Sequence, residues 1–186
     1  TATITVTATY TGGGGSCTGS SITFTITVNP TPTVNPVNSQ VVCNGDLTTP
    51  SVFTVSVPGT VFTWSNTNPQ IGLAANGTGN IPAFIATNTG LVPISGTIRV
   101  TPTYTNGGVS CSGTPYVFTI TVNPTPSVNQ PANQALCAGA ATATVVFTGS
   151  VAGTIYSWTN TNTSIGLAAS GNGNILSFIT ANVTNV

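Results

Sequence analysis

The stretch Phe24-Thr25-Ile26-Thr27-Val28-Asn29-Pro30-Thr31-Pro32 returns unchanged as Phe118-Thr119-Ile120-Thr121-Val122-Asn123-Pro124-Thr125-Pro126, an offset of 118 − 24 = 94 residues. In each copy apolar residues alternate with threonine, the pattern of a half-buried β-strand. Proline cannot donate a ladder hydrogen bond and biases the residue before it toward extended backbone, so the strand stops there and a stiff linker follows. The same offset carries Trp64 to Trp158, Cys43 to Cys137, Cys17 to Cys111, and Ile71-Gly72-Leu73-Ala74-Ala75 to Ile165-Gly166-Leu167-Ala168-Ala169. A period of 94 residues is the size of a domain and exceeds the roughly 20–50 residues of a solenoid repeat, so each unit is expected to own a core.

Residues 1–10 align with 95–104, and residue 186 with residue 92. Residues 1–30 are therefore expected to be the C-terminal strands of one repeat, 31–124 a complete repeat, and 125–186 the N-terminal part of the next. On that division the chain is a segment of something longer. A lone hairpin is marginal in water and an open sheet edge invites pairing, so the two flanking pieces are expected to be completed by neighbouring segments, of this chain or of other copies.

Charge decides which functions such a chain can have. It holds one Arg and one Asp, with no Lys, Glu or His, so charged residues are 1% of the total, against about 25% in an ordinary domain. General acid–base catalysis needs a titratable group, and a Ser or Cys nucleophile needs a base to activate it, so no catalytic residue is assigned and the chain is read as not an enzyme. Calcium and zinc sites need clustered carboxylates, His or thiolates; no metal-binding and no cofactor-binding residue is assigned. Without a cationic patch, nucleic acid is not an expected partner. No run approaches the ~18 apolar residues of a membrane span, so no membrane insertion is expected of this segment. Yet 39% of the residues are hydrophobic, enough to argue against disorder. One consequence is measurable: with so few groups to link protons to folding, the melting temperature is expected to stay nearly flat from about pH 4 to 9. A steep dependence in a pH series of thermal melts would reveal a coupled site.

Within the complete unit, strands are expected at Gln40-Val41-Val42-Cys43, at 52–57, at Val61-Phe62-Thr63-Trp64-Ser65, at 81–86, across 94–104 and from Tyr116 to Val122. Asn44-Gly45-Asp46 and Gly107-Gly108 supply turns between them. Residues 66–80 read as a loop. About seven short strands, no helical periodicity and one Trp per unit specify an all-β, immunoglobulin-like β-sandwich. Its expected core comprises Phe53, Phe62, Trp64, Ile98, Val100, Phe118 and Ile120, with Trp158 in the next unit.

Other features read as structural. Gly77-Thr78-Gly79 and the glycines at 12–15 resemble phosphate loops in composition, but no helix follows either. Asp46 reads as a turn former and Arg99 as an outward strand residue. Phe62, Trp64 and Tyr104 alternate inward, favouring core over a sugar-stacking platform. Asn76-Gly77-Thr78, Asn162-Thr163-Ser164 and Asn182-Val183-Thr184 match the glycosylation triplet.

Two cysteines per period invite a disulfide and an oxidising compartment. Cys43 with Cys111 is the first candidate pair, which would stabilise by ~4 kcal/mol through loop entropy. Sandwich wiring argues against it, because the turn after the first strand and the last hairpin lie at opposite poles. A bond between adjacent units, with Cys17 and Cys137 finding partners in neighbouring repeats, and free thiols both stay open.

Cys-Asn-Gly, Trp-Ser-Asn-Thr-Asn, Ile-Gly-Leu-Ala-Ala, Gly-Thr-Gly-Asn-Ile and Phe-Thr-Ile-Thr-Val-Asn-Pro-Thr-Pro together resemble the PKD-like, immunoglobulin-like tandem repeats of giant cell-surface proteins of Bacteroidota. That resemblance implies a secreted, extracellular protein of the gliding-adhesin type, exported by type 9 secretion, whose repeats form a long stalk or filament. It carries over no catalytic residue. The alternative is a glycan- or protein-binding module, which would place exposed aromatics or an apolar patch at one position in every repeat. A third is a spacer attached to a secreted enzyme whose catalytic domain lies elsewhere.

Overall fold

The computed structural model describes residues 1–182, so the triplet beginning at Asn182 extends outside the described residues. Strands β1 (Ala2–Val6), β2 (Thr9–Gly12), β3 (Gly15–Thr18) and β4 (Ile22–Ile26) precede the Pro-rich linker. The central unit holds β5 (Gln40–Cys43), β6 (Val61–Asn66), β7 (Asn76–Thr78), β8 (Ile94–Asn106), β9 (Val109–Ser112) and β10 (Tyr116–Asn123). Strands β11 (Ser157–Thr159) and β12 (Ser170–Asn172) follow. The only helical turns among the described residues are the short 3-10 segments Pro69–Ile71 and Thr163–Ile165.

The central sheet runs β5-β10-β8-β6-β7, with β9 added to the far end of β8. Only β10 and β5 are parallel; the β10–β8, β6–β8 and β6–β7 pairs are antiparallel. Its inner face follows from the period of two. Ile98 and Val100 on β8, Phe118, Ile120 and Val122 on β10, and Phe62 and Trp64 on β6 are buried, while Arg99 between them is exposed. Phe53 completes an aromatic cluster, its ring centroid 5.3 Å from Phe62 and 6.3 Å from Phe118.

The opposite layer is ragged, which corrects the strands expected at 52–57 and 81–86. Only isolated bridges form there: Val34 with Val55, Leu47 with Ile85, and Ser51 with Ile81. Side chains intercept the ladder. The Phe53 amide donates to Asn80 Oδ1 (2.8 Å) and the Phe84 amide to Thr48 Oγ1 (3.1 Å). Pro50, Pro58 and Pro82 offer no N–H, so a continuous strand has no donors at these places. Even so, this layer contributes Phe53, Ile81 and Ala86 to the core, closing a β-sandwich over the sheet.

Residues 66–80 form an organised crossover. The N–H of Gln70 donates to Asn68 Oδ1 (3.2 Å), capping the 3-10 turn, and Gly72 ends it at φ 95°. Ile71 and Leu73 are thereby delivered to the core. Asn66, buried beneath them, donates from Nδ2 to the Leu73 carbonyl (3.0 Å) and accepts the Asn68 amide at Oδ1 (3.0 Å). The next unit repeats both bonds with Asn160, Leu167 and Asn162 at 3.0 Å each. A further shared detail is the close stack of indole on glycine. Trp64 pairs with Gly77 and Trp158 with Gly171.

The flanking pieces form two-stranded sheets among the described residues. Strands β1 and β4 pair with Ile4 opposite Phe24, the register that β8 and β10 use for Ile98 and Phe118, with nothing packed on their inner face. Residues 125–182 lack counterparts of β8 and β10 among the described residues. Trp158, expected in a core, is consequently only half-buried. The accessible surface of 11810 Å² exceeds the about 8,200 Å² of a compact monomer of this mass.

Candidate functional site

The two charged side chains lie apart in role. Asp46 caps its own turn, accepting the Cys43 amide at Oδ2 (3.4 Å), and Arg99 donates to Thr101 Oγ1 (3.4 Å) on the exposed face of β8. Among the described residues, no three His, Cys, Asp or Glu side chains gather to hold a metal ion. No helix among them is long and apolar enough to cross a membrane.

All four thiols are free. The Cys43–Cys111 pairing is corrected by the sheet register. Cys43 pairs with Asn123 at the outgoing pole of the unit, beside Ile94 and Val122, whereas Cys111 pairs with Tyr104 near the other end of β8. Ten residues of strand separate the two ends, roughly 30 Å at ~3.4 Å per residue. A disulfide spans Cα atoms only about 4.4–6.8 Å apart. Cys17 sits on the hairpin equivalent to that of Cys111, and Cys137 in the turn equivalent to that of Cys43, so an intra-unit bond is barred by the same geometry.

Polar chemistry concentrates instead at the junctions. Asn29, in the linker leaving the first piece, donates from Nδ2 to the carbonyls of Asn106 (2.9 Å) and Val109 (3.3 Å), and its Oδ1 accepts from Asn106 Nδ2 (3.0 Å). The linker is thus tied to the β8–β9 hairpin tip of the next unit. At the outgoing pole, the buried Asn88 donates to the carbonyls of Val92 and Val122 (both 2.8 Å) and its amide donates to Asn44 Oδ1 (2.8 Å). Asn44 in turn donates to Thr125 Oγ1 (3.0 Å), between the linker prolines Pro124 and Pro126. Composition alone left these asparagines indistinct among many; what could have singled out Asn44 is its place beside Cys43 in the turn.

Two apolar faces lie bare. One is the inner face of the β1–β4 pair, where Phe24 is 49% and Ile26 51% exposed, against 3% for Phe118 and 0% for Ile120. The other is a groove of about 650 Å³ on residues 125–182, lined by Leu136, Val145, Ile165, Leu167, Ile175 and Phe178. Phe62 and Trp64, considered above for sugar stacking, are buried, and Tyr104 is half-buried.

Sandwich layers closed over a buried strand Trp define an immunoglobulin-like β-domain. Residues 39–126 match the family model of the PKD-like domain, and the all-β sandwich of the central unit is consistent with that match. Such domains are usually extracellular and are compatible with structural or adhesive modules. Comparison with curated proteins found no match.

Proposed function

We propose that this chain is a structural repeat segment of a long extracellular stalk or filament of a bacterial cell-surface adhesin, spacing or presenting an adhesive region. The gliding-adhesin context and type 9 export belong to the same proposal and rest on the sequence resemblance. The observation that carries it is the tied junction: Asn29 holds a short Pro-containing linker to the hairpin tip of the next unit, a way to keep successive beads in line. The inward packing of Phe62 and Trp64 leaves the complete unit without the aromatic platform that the glycan-binding alternative needs.

An antibody raised against residues 31–124 should decorate projections on intact source cells. Staining that appears only after lysis contradicts the proposal. At the junction itself, Asn29→Ala is expected to broaden the distribution of angles between units in small-angle X-ray scattering. Because the lost bonds are exposed, the change should cost the central unit less than about 1 kcal/mol.

A further inference from the structure

Four asparagines precede a glycine, in the pairs Asn44-Gly45, Asn76-Gly77, Asn106-Gly107 and Asn172-Gly173. Glycine has no side chain to hold its amide nitrogen away from the preceding carboxamide, so such a pair cyclises when that nitrogen is free. In three of the pairs it is engaged. The Gly45 amide donates to the Ala86 carbonyl and the Gly173 amide to the Tyr156 carbonyl, both at 2.8 Å, while Gly77 lies in the β6–β7 ladder opposite Trp64. Gly107 differs. It stands at the tip of the β8–β9 hairpin, in a run exposed from residue 105 to residue 110, and its amide donates to no group among the described residues. We propose that Asn106-Gly107 is a self-modification site, where Asn106 loses its amide nitrogen through a succinimide and the tie between linker and hairpin is altered irreversibly.

The reaction balances with water alone. The Gly107 amide nitrogen gives up its proton to solvent and attacks Asn106 Cγ. A bond forms between that nitrogen and Cγ, closing the succinimide ring, and the bond from Cγ to Nδ2 breaks, Nδ2 leaving as ammonia with a proton from solvent. Water then opens the ring at one of its two carbonyls. Attack at Cγ gives aspartate, and attack at the backbone carbonyl gives isoaspartate, whose main chain runs on through the side-chain carbon. Nothing is oxidised or reduced, and the pair needs no partner protein.

Asn29 governs both the rate and the consequence. Asn106 Nδ2 donates to Asn29 Oδ1 (3.0 Å), and Asn29 Nδ2 holds the carbonyls of Asn106 (2.9 Å) and Val109 (3.3 Å), so the reacting carboxamide is restrained while the junction is tied. Loss of the amide removes the donor to Asn29 Oδ1 and puts a carboxylate there, in a chain whose net charge is zero. Isoaspartate also lengthens the backbone at the tip, displacing the two carbonyls that Asn29 holds. The counterpart of Asn106 in the β2–β3 hairpin is Gly12, so the reaction belongs to this junction and not to the repeat as such. It stands on the bonds between residues 29 and 106–109, whether or not the chain is part of a stalk.

The test is a time course of the full 186-residue chain in mildly alkaline buffer, read by peptide mapping with mass spectrometry. Chymotryptic cleavage after Tyr104 and Tyr116 isolates a peptide in which Asn106 is the only asparagine. Deamidation is expected to accumulate in that peptide several-fold faster than at Asn44, Asn76 or Asn172, with isoaspartate identified by an isoaspartyl methyltransferase. Asn29→Ala should raise the rate at Asn106 several-fold and leave the other three unchanged. Asn106→Asp should broaden the distribution of angles between units in small-angle X-ray scattering while the melting temperature stays that of the wild type. Equal rates at the four asparagines, or conversion at Asn106 only in denaturant, overturn the site. An Asn29→Ala chain that converts no faster than wild type overturns the control by the tie, and an Asn106→Asp chain that scatters as wild type does overturns the change at the junction.

Discussion

Phe118→Ala is expected to destabilise the central unit by about 4 kcal/mol, the cost of a phenylalanine-sized cavity in a packed core. Phe118 is 3% exposed and meets both Phe53 and Tyr116, their ring centroids 6.3 and 6.5 Å away. Neighbouring β8 and β6 are held in a ladder and cannot collapse into the space. A unit of this length has a total stability of only about 5–14 kcal/mol, so the variant sits near the edge of folding. Urea unfolding of a 31–124 fragment, with unchanged slope and a large drop in midpoint, is the expected result. A loss below about 1 kcal/mol would mean that the sandwich core is not where Phe118 lies.

Gly77→Ala is expected to cost about 3 kcal/mol by overpacking. A Cβ at this position would lie 2.2 Å from Trp64 Cζ2, and the indole, itself 8% exposed, has no room to retreat. Gly79, two residues on, separates this from a backbone effect. It has φ 69° and nothing within 4 Å of an added Cβ. Gly79→Ala should therefore cost only about 1 kcal/mol, the penalty of a left-handed non-glycine residue. Equal losses in the two variants, measured in the same denaturant series, would remove the indole stack as the reason for Gly77.

These two sites also mark what the sequence makes legible. The alternation across Ile98, Val100, Phe118 and Ile120 is written in the order of residues, because in a strand side-chain direction depends only on odd or even position. The ragged layer is not written there. Asn80 and Thr48 replace backbone acceptors with side-chain oxygens, and that substitution depends on where the turns bring them, not on their neighbours in the chain. Asn66 is a similar case. Its burial follows from the 3-10 turn folding over it, although its recurrence as Asn160 beside Trp158 was a signal that could have found it. Cys43 and Cys111 needed the register of β5, β8, β9 and β10 before their separation could be measured.

The bare faces were legible in part. Aligning residues 1–30 and 125–186 with the central unit leads to the expectation of two partial sandwiches, but not to how far Phe24 and Ile26 are exposed.

Cryo-electron microscopy of filaments on source cells tests the structural reading most directly. Strand β8, 13 residues long, spans a unit from pole to pole, so beads in line should repeat every ~40 Å along the filament axis at ~3.4 Å per residue. Density with that axial repeat, each bead an all-β sandwich, is the expected result. Units that tumble freely about their linkers, or a compact particle without an axial repeat, would contradict it.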